Sequence, residues 1–150
     1  MIKHFALLLM FLGSQWSCAQ NSDIFSIEQT VRTFFEGFHA KDSVIIQSTL
    51  HRSFELGSVF KTQNGVMFQH TEGRKFINTV ISRPELPEWK EVLGEFKINI
   101  SGSLSSVWVP YEFWLDNSFS HCGVNSIHLI KTEQGWKILN ITDSRLKSCD

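Results

Sequence analysis

The sequence predicts an α+β fold, a cone in which three N-terminal helices pack on a strongly bent antiparallel sheet. Three observations predict it. Hydrophobic side chains recur at helical spacing only in the first half of the chain. The second half is a succession of alternating segments separated by short turns, and strands joined by short turns pair antiparallel. Such a sheet must bury one face, which the helices cover.

Length and composition narrow the class of protein. The 150 residues suit one domain, and a hydrophobic fraction of 42%, with 13 Phe and 5 Trp, supplies a core and excludes a disordered chain. The formal net charge is −1, so no strong field of either sign is available to attract nucleic acid or an anionic membrane. We therefore expect no nucleic-acid partner.

The N-terminus is typical of a secretory signal peptide. Lys3 precedes an unbroken apolar run from Phe5 to Leu12, and Ser17 and Ala19 supply the small residues that a cleavage site requires. The apolar run is shorter than the ~20 residues of a membrane-spanning helix. We therefore expect cleavage after Ala19 and export, which makes the protein periplasmic or extracellular.

The predicted organisation is a signal peptide over residues 1–19, a linker over 20–25, one domain over 26–146 and a tail over 147–150. The alternative is a lipoprotein, in which Cys18 becomes a lipid-bearing N-terminus. Gln15 argues against lipidation, because lipoprotein signals prefer a Leu-like residue at that position. Only this alternative would attach the protein to a membrane.

Two cysteines remain available for pairing under either alternative, because cleavage removes Cys18 and lipidation consumes it. Cys122 and Cys149 form an even pair in an oxidising compartment, and we predict a disulfide between them. Cys149 lies beyond the last strand, so the tail must turn back to reach its partner. The alternative is two free thiols.

The helices are predicted from capping and periodicity. Ser26 is the expected N-cap of a helix to about Ala40, with Gln29 completing a capping box. Asp42 begins a second helix, which ends near Leu50. The first helix carries one apolar stripe, formed by Ile27, Val31, Phe34, Phe35 and Phe38.

The rest of the chain is mostly strand. A strand over 53–61 and a return strand over 66–70 flank the turn Gln63-Asn64-Gly65. Thr71 is the expected cap of a third helix that ends near Ser82, and the prolines that follow stop both helix and strand. Four further strands are predicted over residues 96–100, 107–115, 119–131 and 136–144.

Counting outward from the turns gives the cross-strand partners, which share a face of the sheet. Phe113 then lies opposite His121, and Ile127 lies opposite Asn140. The face under the helices is apolar with a few polar groups, as a ligand cavity requires. The predicted pocket residues are Tyr111, Phe113, His121, Asn125, Asn140 and Arg145.

The opposite face of the sheet carries Trp108 and Trp114, which would be costly to expose as a patch. We therefore expect a homodimer that covers this face. The same count places Asp143 and Arg145 on the opposite face, at the end of the sheet and near His121. A single β-bulge would exchange the two faces.

Element order and several short motifs resemble the nuclear transport factor 2-like (NTF2-like) superfamily, in its SnoaL-like and lumazine-binding-like branch. The resemblance is carried by residues 31–38, Lys41-Asp42, 128–131 and 135–138. Residues 120–125 and 142–145 resemble a subgroup of exported bacterial members without an assigned activity. The resemblance implies a conical fold with a pocket, frequent dimers and diverse uses, including isomerases and dehydratases.

His121 is the strongest candidate for acid–base chemistry near neutral pH, with Asp143 as its partner. The alternative is a histidine held in a structural cluster of hydrogen bonds. The six histidines show no metal-ligand spacing, and no phosphate-binding glycine loop is present. We therefore expect neither a metal nor a cofactor.

These observations favour an exported pocket protein without catalytic activity, which binds a small, mostly apolar ligand. No complete catalytic set is visible in the sequence. The first alternative is a small isomerase or dehydratase that uses His121 with Asp143. The second is a protein-interaction module or dimeric scaffold that docks a partner on the tryptophan-bearing face.

Overall fold

The computed structural model describes residues 5–149, and it describes side chains from residue 21 onward. The elements, in chain order, are α1 (Phe5–Ala40), α2 (Ser43–Thr49), β1 (Leu50–Thr62), β2 (Gly65–Glu72), α3 (Gly73–Ser82), β3 (Trp89–Leu93), β4 (Lys97–Ser101), β5 (Leu104–Leu115), β6 (Ser118–Thr132) and β7 (Gly135–Arg145). This composition confirms the α+β class. No helix among these residues is both long and apolar enough to cross a membrane.

All seven strands form one sheet in the order β2-β1-β7-β6-β5-β3, with β4 also paired to β5. Neighbouring strands are antiparallel except for β1 and β7, which run parallel. The sheet is therefore mixed, which corrects the prediction of a purely antiparallel sheet. Short turns determine the direction only of strands that they join, and β1 and β7 lie far apart in the sequence.

The start of the first helix also differs from the prediction. Residues 20–25, expected as a linker, are helical. Ser26 is inside α1, where its hydroxyl donates to the Ser22 carbonyl at 2.8 Å, so the expected N-cap at Ser26 is wrong. The predicted signal peptide begins outside the described residues, and the side chains around its cleavage site and Cys18 lie outside the described part. Cleavage and lipidation stay predictions.

The helix stripe and the second cap are as predicted. Asp42 accepts the backbone N–H groups of Val44 and Ile45 at 2.8 and 3.0 Å, which satisfies two donors at the start of α2. The third helix begins at Gly73 without a side-chain cap, because Thr71 belongs to β2. The α1 side chains that form the core are Ile27, Val31, Phe34, Phe35 and Phe38.

A buried arginine joins three elements at the base of the helices. One terminal nitrogen of Arg83 donates to the carbonyls of Phe38 and His39, at 2.8 and 3.0 Å, and the other donates to the Val80 carbonyl. The guanidinium also lies 5.0 Å from the ring centre of Trp89, at the start of β3. Arg83 thereby satisfies carbonyls that the ends of α1 and α3 would leave unpaired.

One extra residue in β7 decides the orientation of that strand. Leu129 pairs with Ile138, but the preceding residue His128 pairs with Asn140, so Leu139 is an unpaired bulge residue. Beyond the bulge, Ile127 pairs with Ile141 instead of the predicted Asn140. The bulge exchanges the two faces of β7. Side chains at odd positions from Ile141 onward therefore face the helices.

The C-terminal tail is held against the sheet by a disulfide between Cys122 and Cys149, whose Cα atoms are 6.0 Å apart. Leu146 supports this contact through two backbone hydrogen bonds with Cys122, of 2.7 and 3.0 Å. The tail turns back as the predicted bridge requires. The disulfide and these hydrogen bonds together hold the segment that follows β7 against β6.

Replacing Cys149 with Ser should lower the free energy of unfolding by about 3–4 kcal/mol, because the disulfide closes a loop between cysteines 27 residues apart. Urea denaturation of the oxidised protein measures the loss. Ser148→Ala, in the same exposed tail, is the matched control and should leave stability unchanged. Labelling of two free thiols in the unreduced wild-type protein would contradict the bridge.

Candidate functional site

A cavity of about 500 Å³ lies between α1, α3 and the inner face of the sheet. Its size is typical of small-molecule sites. Exposed residues at its mouth include Gln69, Lys75 and Thr79. Seven aromatic residues line its walls: Phe34, Phe35, Phe38, Phe76, Trp89, Tyr111 and Phe113.

The aromatic walls are held by contacts between rings. Phe76 of α3 stacks on Phe38 of α1 with an interplanar angle of 3° and a centroid distance of 6.3 Å. Trp89 of β3 meets Phe113 of β5 edge to face at 5.9 Å. Each pair joins two different elements, and such pairs contribute about 0.5–1.5 kcal/mol beyond burial. The walls are therefore fixed in place before any ligand arrives.

An ion pair closes the far end of the cavity. Arg145 Nε donates to Asp143 Oδ2 at 2.7 Å, and Arg145 also donates to the Ser58 hydroxyl at 2.9 Å. Ser58 donates in turn to Asp143 Oδ1 at 2.5 Å. Asp143 is buried, whereas 46% of the Arg145 side chain is exposed. The bulge in β7 places both charged residues here, and the parallel neighbour β1 supplies the serine.

Tyr111 connects this ion pair to the apolar walls. Its hydroxyl lies 3.0 Å from the Ser144 carbonyl and 3.3 Å from Asp143 Oδ2, and both of these atoms are acceptors. Burial and the neighbouring carboxylates of Asp143 and Glu91 raise the pKa of Tyr111 above its ordinary value. The phenol therefore keeps its proton and acts as a hydrogen-bond donor near neutral pH.

Glu91 is a second carboxyl group in the cavity, and its surroundings strongly raise its pKa. The Asn125 side-chain amide donates to Glu91 Oε1 at 2.6 Å, and the Glu91 backbone N–H donates to His39 Nε2 at 2.9 Å. Burial, reinforced by the charge of Asp143, raises the Glu91 pKa to about 8, against the lowering effects of Asn125 and Arg145. Glu91 is therefore mostly an uncharged carboxylic acid at neutral pH.

His121 lies against the same walls. Its ring stacks on Phe113 at 4.9 Å and meets Tyr111 edge to face at 5.8 Å, and its Nδ1 lies 3.1 Å from the Ser120 hydroxyl. Burial and the positive charge of Arg145 lower the pKa of His121, so the imidazole is neutral near pH 7. No hydrogen bond joins His121 to Asp143 among the described side chains.

The part of the chain that the structure describes contains no assembled metal site. Among the side chains of residues 21–149, no group of three or more His, Cys, Asp or Glu is arranged to hold an ion. The polar groups of the cavity bond mainly to one another. What they offer a ligand is hydrogen bonding and, through Glu91, proton transfer.

No protein-family model matches the chain, and no curated protein sequence matches it. Solved structures do. An NTF2-like protein with a cystatin-like fold from Novosphingobium aromaticivorans matches with a TM-score of 0.69 and 14% identity, over 99% of this chain and 92% of that one. An NTF2-like protein of unknown function from Shewanella baltica matches with a TM-score of 0.62 and 14% identity, over 85% and 96%.

The chain has the NTF2-like fold. A third match is a proposed dehydratase of the NTF2-like family from Streptomyces avermitilis, with a TM-score of 0.65 and 11% identity over 86% of this chain and 99% of that one. Identities this low show the fold alone. The predicted NTF2-like resemblance is therefore confirmed at the level of the fold, and the exported subgroup stays a prediction.

The NTF2-like cone brings together most of the residues that the sequence proposed for a pocket. The cavity is lined by Tyr111, Phe113, His121, Asn125 and Arg145, together with Asp143. Asn140 is a correction: it is on the other face, where its Oδ1 lies 3.0 Å from His128 Nδ1. The bulge at Leu139 explains this difference, because it reverses the alternation beyond it.

Glu91 was missed because β3 was not predicted as a strand of the NTF2-like cone. The segment follows a proline-rich loop and has only 5 residues, two of them charged. Its pairing with β5, from Trp89 opposite Leu115 to Leu93 opposite Tyr111, turns Glu91 inward. The signal available in the sequence was the alternation of Trp89, Glu91 and Leu93, which places an acid between two apolar residues on one face.

The raised pKa of Glu91 predicts how the stability of this protein depends on pH. Between the ordinary value of 4.5 and about 8, the folded state holds a proton that the unfolded state has lost. The free energy of unfolding therefore falls as pH rises through this window, by at most about 1.4 kcal/mol per pH unit from this group.

Glu91→Gln should remove that contribution, so the variant gains stability relative to wild type as pH rises from 5 to 8. Urea denaturation at both pH values measures the difference. Glu112→Gln, which replaces an exposed glutamate on the outer face, is the matched control and should keep the wild-type slope. Parallel stability curves for wild type and Glu91→Gln would show that Glu91 is ionised in the fold.

Proposed function

We propose that this protein binds a small, mostly apolar molecule in the cavity of the cone, as an exported protein. The observation that carries the proposal is the cavity itself, about 500 Å³ with seven aromatic side chains along its walls. Large apolar surfaces of this kind release water when a ligand covers them, which favours binding. The export part of the proposal rests on the N-terminal sequence.

The bonding of the polar groups supports a binding role. Asp143 is satisfied by Ser58 and Arg145, and Asn125 by Glu91. These bonds hold the polar end of the cavity in one arrangement without a ligand. Preorganised walls and polar groups lower the entropy that binding costs.

Thr79→Trp should abolish binding, because the indole would fill the mouth of the cavity beside Lys75 and Gln69. The measurement is fluorescence enhancement of N-phenyl-1-naphthylamine, an uncharged apolar probe, with at least a tenfold loss of affinity expected. Asn78→Trp adds the same side chain one residue earlier on α3, at an exposed position that does not line the cavity.

The Asn78→Trp control should bind the probe as wild type does, and circular dichroism should show both variants folded. Equal binding by wild type and Thr79→Trp would mean that the probe binds elsewhere. A Trp108→Ala variant tests the most obvious alternative site, because 52% of this outer-face residue is exposed. Loss of probe binding in that variant alone would overturn the proposal.

A second candidate function is acid–base catalysis, as in a small isomerase or dehydratase. The observation that favours it is an acid in the cavity, Glu91, with a pKa of about 8, since acid–base catalysts work best with a pKa near the working pH. The residue pair inferred from the sequence was His121 with Asp143. The described hydrogen bonds do not assemble that pair, so the proposal rests on Glu91.

The catalytic candidate predicts that the protein speeds deuterium exchange of the methyl protons of 2-acetylnaphthalene in D₂O. Ionised Glu91 would take a methyl proton to leave an enolate, exchange that proton with D₂O, and return a deuteron to the enolate carbon. Nuclear magnetic resonance measures the rate. Glu91→Gln should reduce it to the rate without protein, because an amide is too weak a base to remove the methyl proton. An equal rate with and without wild-type protein would exclude this activity on the probe.

The tryptophan-bearing outer face supports a further proposal, a homodimer. Trp108 is exposed, and the Trp114 indole N–H donates to Glu112 at 3.1 Å. Exposed aromatic surface on a sheet face is typical of protein interfaces. The dimer and the partner-docking module both stay proposals, and neither conflicts with a ligand inside the cone.

A further inference from the structure

We infer that the ligand is an uncharged ring compound carrying an acceptor oxygen, to which the Glu91 carboxyl group donates a hydrogen bond. This inference rests on the proposed binding function and names the chemical class of the ligand. It is built from three observations on the described residues: the charge balance of the cavity, the free oxygen of Glu91 and the shape of the aromatic walls.

The charge balance disfavours a charged ligand. Arg145 is the cation at the far end of the cavity, and it is already bonded to Asp143 and Ser58. Asp143 already balances the charge of the guanidinium, so an anion would add a second negative charge there, and a cation would have to compete with Arg145 for the carboxylate. Drawing Arg145 away from Asp143 is costly, because the buried carboxylate then loses its compensation.

Glu91 has one oxygen left for a ligand. Asn125 bonds to Oε1 at 2.6 Å, and Oε2 has no hydrogen-bond partner among the described residues. Oε2 is also open to the cavity, since the one buried side-chain polar atom without a partner in the described part belongs to Ser105. Burial raises the Glu91 pKa to about 8. At neutral pH the free oxygen therefore carries a proton, and a proton donor selects an acceptor.

The groups that face Glu91 come from every neighbouring element. They are His39 of α1, Tyr111 of β5, His121 and Asn125 of β6, and Asp143 and Arg145 of β7, with Lys75 of α3 at the cavity mouth. Burial lowers the pKa of His39 and of His121, and burial raises that of Tyr111. These three groups therefore stay uncharged from pH 7 to 9, whereas Glu91 loses its proton.

The aromatic walls select the body of the ligand. Phe38 and Phe76 are nearly parallel, and Trp89 and Phe113 continue the same apolar lining toward Glu91. Flat faces of this kind pack best against flat rings. A fused ring with one carbonyl or hydroxyl oxygen satisfies the walls and the donor together.

The test compares three probes that share one ring system. 2-Acetylnaphthalene is uncharged and carries a carbonyl oxygen, 2-naphthoate is an anion, and naphthalene has no oxygen. Calorimetry with the wild-type chain at pH 7 should show the ketone binding about tenfold tighter than either of the others, as one hydrogen bond allows. Raising the pH to 9 should weaken ketone binding about tenfold, because the Glu91 pKa is about 8.

Variants of Glu91 separate a donor from a merely structural residue. Glu91→Leu, which has no donor, should weaken ketone binding about tenfold at pH 7 and leave naphthalene unaffected. Glu91→Gln keeps an N–H donor that does not titrate, so its ketone affinity should not fall between pH 7 and 9. At pH 9 it should exceed that of wild type. Glu112→Gln is the control and should show the wild-type fall with pH.

Each other outcome has a definite meaning. Tighter binding of 2-naphthoate, equal binding of ketone and naphthalene, or a pH effect that persists in Glu91→Gln would overturn this inference and leave the binding function standing. If none of the three probes binds and N-phenyl-1-naphthylamine also fails to bind, the proposed function itself fails. Thermal melting of each variant confirms that a loss of binding is not a loss of the fold.

Discussion

The unpaired residue Leu139 in β7 is the constraint on which the cavity depends. Side chains alternate along a strand with a period of two, so one extra residue reverses every later position. Before the bulge, β7 buries Ile138 in the core. After it, Asp143 and Arg145 reach the same side of the sheet. If Leu139 were paired regularly and formed no bulge, the ion pair would point outward, and the far end of the cavity would be lined by Thr142.

The polar end of the cavity contains a buried carboxylate, that of Asp143, which would be destabilising without its hydrogen-bonded partners. A buried carboxylate needs compensation, which Arg145 and Ser58 supply to Asp143. That negative charge in turn disfavours a second one nearby, which contributes to keeping Glu91 protonated. The cavity can therefore hold two carboxyl groups in different charge states. Their difference follows from position in the fold and not from residue type.

Sequence reasoning succeeded where local rules decide the structure. The stripe of Phe34, Phe35 and Phe38 follows from helical periodicity. Sequence reasoning failed where distant parts of the chain determine the structure. The parallel pairing of β1 with β7 and the short strand that carries Glu91 exist because neighbouring strands accept them. Little in the sequence indicates the bulge at Leu139, so Asn140 was assigned to the wrong face of the sheet.

The bonding of Arg83 has a consequence for how this cone could change over evolutionary time. Its guanidinium holds the last carbonyls of the long first helix and also covers Trp89, two positions before Glu91. A shift at the base of that helix is therefore transmitted to the strand carrying the acid, although Arg83 itself does not line the cavity. Substitutions remote from the ligand could in this way adjust its selectivity while every lining residue stays the same.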